Sequence, residues 1–242
     1  WRCYWIIDQL NQDNVDYVII TNNTKKHSTV FLSYLQSLGF NIKSKNYLDP
    51  LMVLTDQVVF SSLAVYGHND FIEVVKNMGY TLNYEKPEAV LIAIKEDFNN
   101  EEFAQMNEFL LNGASLIGMH ETTLYAKNNK RYPGVGAILK MLSFATASSY
   151  KVIGKPSVAF YTRAKEILKD TDFKDITIIS DDMQGDLLGA QALGMSSIFV
   201  LSGKFKNKEE ILPKLEKKDY PSLVCQDMRD VLLEYQKGKI WL

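Results

Sequence analysis

The sequence has little cysteine: Cys3 and Cys225 are the only two in 242 residues, with no metal-type spacing between them. That scarcity excludes a disulfide scaffold and a thiolate metal site, and a reduced, cytoplasmic setting is the simplest expectation. Histidine is as sparse. His27, His68 and His120 are scattered, and no pair has the i, i+4 spacing with an acid that a zinc helix requires. Surface or cap positions are expected for them. Neither sign of charge dominates, and the net charge of −2 leaves no electrostatic footprint for nucleic acid or an anionic membrane. No apolar run approaches transmembrane length. Residues 1–5 lack the apolar core and small-residue cleavage site of a signal peptide. There is no internal repeat and no low-complexity segment. No P-loop occurs and no Gly-x-Gly-x-x-Gly follows a strand, which counts against a nucleotide-binding α/β protein.

What is present is ordinary globular chemistry. The chain is 46% hydrophobic and 23% charged, and long enough for one large or two modest domains. Apolar β-forming runs at 17–20, 89–94, 114–119, 176–179 and 194–201 read as buried strands. Helical patterns lie at 28–38, 71–78, 100–111, 137–147, 158–168, 208–215 and 228–236, and residues 5–10 read as the end of another helix. Residues 51–66 carry apolar runs without a firm assignment. The stretch 125–132 is polar and basic, and 220–225 is expected as an edge strand. Strands alternating with helices predict an α/β fold with a parallel sheet.

Three polar clusters sit at predicted strand tips. The run Ser180-Asp-Asp-Met-Gln-Gly-Asp186 follows the 176–179 strand directly. Carboxylates just past a buried strand stand where open α/β sheets bind ligands. Acids this close repel unless a cation or hydrogen-bond donors offset them, and oxygen-only ligands on a tight turn suit Mg²⁺. The plain alternative is an Asp-rich turn that merely caps the next helix. Thr21, Asn22, Asn23 and Thr24 link the first strand to a helix start, a place able to hold an anion, or a simple N-cap without a ligand. Lys155, held stiffly between Gly154 and Pro156, is either a phosphate partner or a solvated surface lysine. A hydroxyl, an amide, a lysine and a carboxylate-held cation are together what phosphoryl transfer needs.

In order and spacing, Ile20-Thr-Asn-Asn23, Gly154-Lys-Pro156 and Ser180–Asp186 resemble the second, third and fourth motifs of the haloacid dehalogenase superfamily. The intervening α/β block, closed by Pro133-Gly-Val-Gly136, resembles the large cap of its subclass IIA. The resemblance implies a doubly wound parallel-sheet core over 1–45 and 133–242, with an α/β cap domain inserted over 46–132. It implies that Thr21 holds the transferring phosphoryl group and that Asn22, with Asn23 beside it, positions the substrate. It implies that Lys155 pairs with the phosphate and that Asp181 holds Mg²⁺, with Asp182 as a second metal candidate. Asp186 would orient Lys155 or the water shell of the metal. His120 and Glu121 stand where relatives often carry an Asn-Pro-Asp-like turn, and are expected to face the substrate through the cap.

The family usually has Gly where Ser180 stands. The larger departure is the nucleophile, an Asp in a pattern like Asp-x-Asp-Gly-Thr at the tip of the first strand. It would form an aspartyl-phosphate, and its second Asp would act as acid and base. No such motif occurs here: before Asp16 the only acids are Asp8 and Asp13, and neither follows a β-run. Either the sequence lacks its natural N-terminus or it is a degenerate member. The first is favoured, because a missing central strand would leave a sheet half-built. Residues 51–66 also look one helix short. The expected activity is Mg²⁺-dependent hydrolysis of a small phosphorylated metabolite, with a homodimer through the cap compatible with the resemblance. The alternative is a non-catalytic phosphate-binding or regulatory protein of the same fold.

Overall fold

The structure, a computed structural model, describes residues 4–127, 130–203 and 205–238. Cys3 lies outside the described residues, and Cys225 is a buried free thiol. The chain opens with α1 (Tyr4–Gln12), β1 (Ile19–Ile20), α2 (Ser28–Ser37) and β2 (Tyr47–Leu48). Next come α3 (Leu54–Gln57), β3 (Ser62–Tyr66), α4 (Asn69–Asn77), β4 (Thr81–Leu82), β5 (Ala89–Ile92), α5 (Asn100–Leu111) and β6 (Ser115–Gly118). A hairpin of β7 (Leu124–Lys127) and β8 (Lys130–Pro133) leads to α6 (Val135–Thr146) and β9 (Tyr150–Val152). The rest is α7 (Val158–Ile167), β10 (Thr177–Ser180), α8 (Leu188–Ala192), β11 (Ser196–Val200), β12 (Leu223–Cys225) and α9 (Met228–Gln236).

Two compact units result. The first takes Trp1–Ile20, Leu32–Leu48 and Tyr161–Leu242; the second takes Thr21–Phe31 and Asp49–Phe160. In the second, five parallel strands run in the order β4-β3-β5-β6-β9. The continuous apolar run of β5 is wholly buried, as a parallel strand covered on both faces should be. Met106, Phe109 and Leu110 of α5 and Ile138, Leu139 and Leu142 of α6 pack in one cluster with Val90, Ile92 and Leu116 of the sheet. Because β9 belongs to this sheet and α6 packs against it, the unit runs on past the cap boundary expected at 132. The Pro133–Gly136 segment enters α6 against the backbone of residues 122–123, through Gly134 N–H to Thr123 O at 2.8 Å and Gly136 N–H to Thr122 O at 2.9 Å. A Cβ on Gly136 would lie 2.6 Å from Glu121 O, so glycine is what allows the approach.

In the first unit β1 pairs in parallel with β2, and β10, β11 and β12 form a second parallel sheet. Its core gathers Tyr161, Ile178, Met183, Leu187, Met195 and Phe199. Mostly parallel strands with flanking helices make this an α/β protein. Several expected elements differ in detail. The helix expected at 208–215 is instead two short 3₁₀ turns, because Pro213 has no N–H to donate and clashes with a helical carbonyl. The polar stretch 125–132 is the β7–β8 hairpin, fastened by stacked Tyr125 and Tyr132 directly opposite each other. Residues 51–66 hold a 3₁₀ turn, the short α3 and β3. The first predicted strand shortens to Ile19–Ile20.

Candidate active site

In the second unit the turn after β1 is built around a carboxylate that the sequence reading missed. Thr21 Oγ1 accepts the N–H of Asn23 at 2.7 Å, which leaves the hydroxyl hydrogen to be directed at another acceptor. Asn23 Nδ2 donates to Lys26 O at 2.7 Å and to Asp49 Oδ2 at 3.1 Å. Asp49 is fully buried, and its Oδ1 accepts from Ser28 Oγ at 2.8 Å and from the N–H groups of Leu51 and Met52 at 3.1 and 3.2 Å. The available signal was Asp49 followed by Pro50, an N-cap with proline at the first helical position. Asn22 Oδ1 and Thr24 Oγ1 are buried without a hydrogen-bond partner among the described residues. Buried polar atoms left so are costly, and mark where a ligand or water would be held. Asn22 Oδ1 is 3.2 Å from where a Cβ on Gly154 would stand, so Asn22 and the Gly154 turn are neighbours.

Lys155 reaches that neighbourhood because the ladder between β6 and β9 continues past both strands. Ile153 N–H donates to Gly118 O, Gly154 N–H to Met119 O and Glu121 N–H to Lys155 O, at 2.9, 2.9 and 3.1 Å. Lys155 is 8% exposed, which rules out the solvated surface lysine. His120 is also buried, and its Nδ1 accepts from Thr122 N–H at 3.4 Å. Glu121 Oε1 accepts from the Tyr150 hydroxyl at 2.8 Å and pairs with Lys140 at 3.4 Å. Burial first, then the hydrogen bond and charge of Glu121, push the Tyr150 hydroxyl up to about 12. Glu121 thus ties α6 and β9 to the end of β6. Thr21, Asn22, Asn23, His120, Glu121 and Lys155 all belong to this unit.

Asp181, Asp182 and Asp186 belong to the other. There the turn after β10 is held by its own side chains. Ser180 Oγ donates to Asp186 Oδ2 at 2.6 Å and accepts the N–H of Asp182 at 3.0 Å. Asp182 Oδ1 caps the next turn through Gly185 N–H at 3.0 Å. That turn, Met183–Leu187, is a single π-helical turn, a form that recurs at functional sites. The buried Tyr161 hydroxyl donates to Asp186 O at 2.8 Å. Burial and then the charges of Asp186 and Asp182 keep that phenol protonated far above its ordinary range. The Asp181 carboxylate lies against Gly203, just after β11, where any Cβ would overlap it.

Among the described residues no three His, Cys, Asp or Glu side chains form a group able to hold a metal. Mg²⁺ asks for less, one or two carboxylates with waters and substrate phosphates. Asp181, Asp182 and Asp186 share this turn, with Ser180 bonded to Asp186 and Asp182 capping it, and their carboxylate oxygens are of the kind that Mg²⁺ takes.

Residues 5–81 match the family model of haloacid dehalogenase-like hydrolases, and residues 152–231 match a second HAD-hydrolase-like model. The chain is 27% identical to the haloacid dehalogenase-like hydrolase domain-containing protein 2 of Rattus norvegicus, over 91% of this chain and 83% of that protein. It is 25% identical to the acid sugar phosphatase of Staphylococcus saprophyticus, over 96% and 89% of the two chains. The solved p-nitrophenyl phosphatase from Archaeoglobus fulgidus superposes with a TM-score of 0.78 at 20% identity, covering 94% of this chain and 89% of that one, a likeness of fold.

Proposed function

The chain belongs to the haloacid dehalogenase-like hydrolases, in their large-capped subclass IIA, and on that premise we propose that it serves the hydrolysis of a small phosphoric monoester. The observation that carries this reading is the self-bonded acidic turn Ser180–Asp186 at the C-terminal end of parallel β10, the end at which open α/β sheets bind ligands. The relative named for acid sugar phosphatase activity supports the substrate class.

The roles follow from the groups. Thr21 donates its free hydroxyl hydrogen to a phosphoryl oxygen, and Lys155 neutralises phosphate charge from a buried position where that charge is weakly screened. Asn22 and Asn23 orient the substrate. Asp181, with Asp182 beside it, holds Mg²⁺, which when bound draws charge from phosphate oxygens. Asp186, fixed by Ser180, positions the groups around it. An aspartyl-phosphate mechanism also needs a carboxylate to attack in line, and no Asp-x-Asp turn after a strand occurs in these 242 residues. A second reading of the same groups is phosphate binding without turnover.

Calorimetric titration of the chain with Mg²⁺ and inorganic phosphate tests the site. Phosphate is expected to bind in a Mg²⁺-dependent manner, at least ten-fold more weakly in K155A and in D181N. Binding indifferent to both substitutions overturns the assignment. Phosphate release from p-nitrophenyl phosphate and a panel of sugar phosphates then separates turnover from binding alone.

A further inference from the structure

Side chains from three connections of the second unit meet beyond the C-terminal end of β5. The first connection follows Thr21. Asn23 Nδ2 donates to Lys26 O at 2.7 Å and its Oδ1 accepts the N–H of Lys26 at 3.3 Å, which holds Thr24 and Lys25 in a tight bend. The second follows β5. His68 N–H donates to Ile94 O at 3.2 Å, so the ladder runs on to Ile94 before Lys95, Glu96 and Asp97 leave it. Lys25 Nζ lies 3.6 Å from Glu96 Oε1. The third is the β7–β8 hairpin, where the Tyr125 hydroxyl is buried without a hydrogen-bond partner among the described residues. Burial first, then Glu96, Tyr132 and Asp97, hold that phenol protonated to a higher pH than an ordinary tyrosine, so both carboxylates stand near it.

This meeting contributes little to the fold. The Lys25–Glu96 pair is longer than a hydrogen bond, with side chains 44% and 35% exposed, and such pairs are weak. Its position is that of a ligand site. β5, β6 and β9 are successive parallel strands, and beyond their C-terminal ends stand Glu96, His120 and Lys155. Ligands of parallel sheets bind at that end. Two interstrand steps separate β5 from β9, roughly 10 Å, so a phosphoryl group at Lys155 leaves its alcohol part to extend over β6 towards Glu96. Thr24, next to Lys25 and 2% exposed, also carries a hydroxyl without a partner among the described residues.

We propose that Lys25, Glu96 and the Tyr125 hydroxyl form the subsite for the alcohol part of the phosphoric monoester, and that they select one that is uncharged and bears adjacent hydroxyl groups. This rests on the phosphatase reading and adds to it the choice of leaving group. One hydroxyl donates to Glu96 while its neighbour accepts from Lys25, and both bonds are charge-assisted. The Tyr125 hydroxyl, able to donate and to accept, completes the set. Lys25 repels an ammonium, and Glu96 and Asp97 repel a carboxylate. A plain hydrocarbon chain would cover these groups and bond to none of them.

Calorimetric titration of the 242-residue chain with Mg²⁺ tests the subsite without requiring turnover. The probes are glycerol 1-phosphate, n-propyl phosphate, which has the same carbon chain without hydroxyls, and phosphoethanolamine. Glycerol 1-phosphate is expected to bind at least about ten-fold more tightly than either, because a site built to hydrogen-bond a hydroxyl rejects the analogue that lacks it. That preference should shrink to about three-fold or less in Glu96→Ala and in Tyr125→Phe, each of which removes one bond. A purely structural role for either side chain would change stability and leave the ratio of affinities alone. Equal binding of the three esters by the wild type overturns the proposal, as does a preference that either variant keeps. Inorganic phosphate, which has no alcohol part, separates the two readings. If it binds and Lys155→Ala weakens it while the esters are not told apart, the subsite alone fails. If it does not bind at all, the phosphatase reading fails and the subsite with it.

Discussion

The Ser180 hydroxyl donates to Asp186 at 2.6 Å while accepting the backbone N–H of Asp182 at 3.0 Å, so one side chain fixes both arms of the acidic turn. The position resembles one where the family usually carries glycine, which could make neither bond. Removing it with Ser180→Ala leaves Asp186, 8% exposed, short of a donor. A hydrogen bond to a charged group contributes about 1.5–3 kcal/mol. The variant should therefore lose about that much stability, a fall of roughly 2–4 °C in Tm per kcal/mol for a chain of this size. Thermal unfolding followed by circular dichroism measures it, and an unchanged midpoint would show that the turn stands without Ser180.

Asp49 gives a sharper contrast between two substitutions. Asp49→Ala strands the N–H of Leu51, leaves Met52 N–H only its bond to the residue-49 carbonyl, and removes the carboxylate partner of Asn23 and Ser28 at a fully buried position. Losing an N-cap and leaving buried donors unpaired should together cost roughly 2–4 kcal/mol. Asp49→Asn keeps an acceptor oxygen for the two N–H groups and should cost about half as much. Urea denaturation of both variants checks the order. Equal losses would mean that the carboxylate charge, not the cap, holds the turn.

The difference between what was legible in the sequence and what was not comes down to range. β5 and α5 were readable because their signals are local, an unbroken apolar run and a helical period opened by the Asn99–Glu102 capping box. The acidic turn and the buried lysine were readable as residue types at strand ends. The bonds of Asp49 to Ser28 and Asn23 were not, because those partners lie 21 and 26 residues away. Glu121 looked like a ligand-facing acid, yet Tyr150 and Lys140, distant in sequence, engage it. Lys127, Lys130 and Arg131 hid the β7–β8 hairpin because its strands lack apolar alternation. Pro213 was visible in the sequence, and its effect on the expected tail helix was a local rule overlooked.

Gly203→Ala probes the metal role of Asp181 without removing the carboxylate. The added Cβ would occupy the space of the Asp181 side chain and force it to turn away. If Asp181 is the principal protein ligand, Mg²⁺ affinity should fall at least ten-fold while the far-ultraviolet dichroism stays the same. Titration calorimetry with Mg²⁺ alone reads this directly. Unaltered affinity would move the cation away from Asp181.

Alkaline stability reports on the burial of Tyr150 and, after it, on its bond to Glu121. The folded phenol titrates at about 12 against an ordinary 10.0, so between those values the unfolded chain gives up its proton first. The unfolded state then binds fewer protons than the folded one, and linkage makes stability fall as pH rises. The contribution is complete below pH 10 and lost as pH climbs towards 12. Cys225, whose thiol burial pushes up to about 11, acts in the same direction in an overlapping range. The comparison must therefore be between the wild type and Tyr150→Phe. The variant is expected to be less stable at pH 8, having lost the bond to Glu121, and to lose stability less steeply from pH 10 to 12. Parallel stability curves for the two proteins over that interval would show that Tyr150 ionises as readily in the folded chain as in the unfolded one.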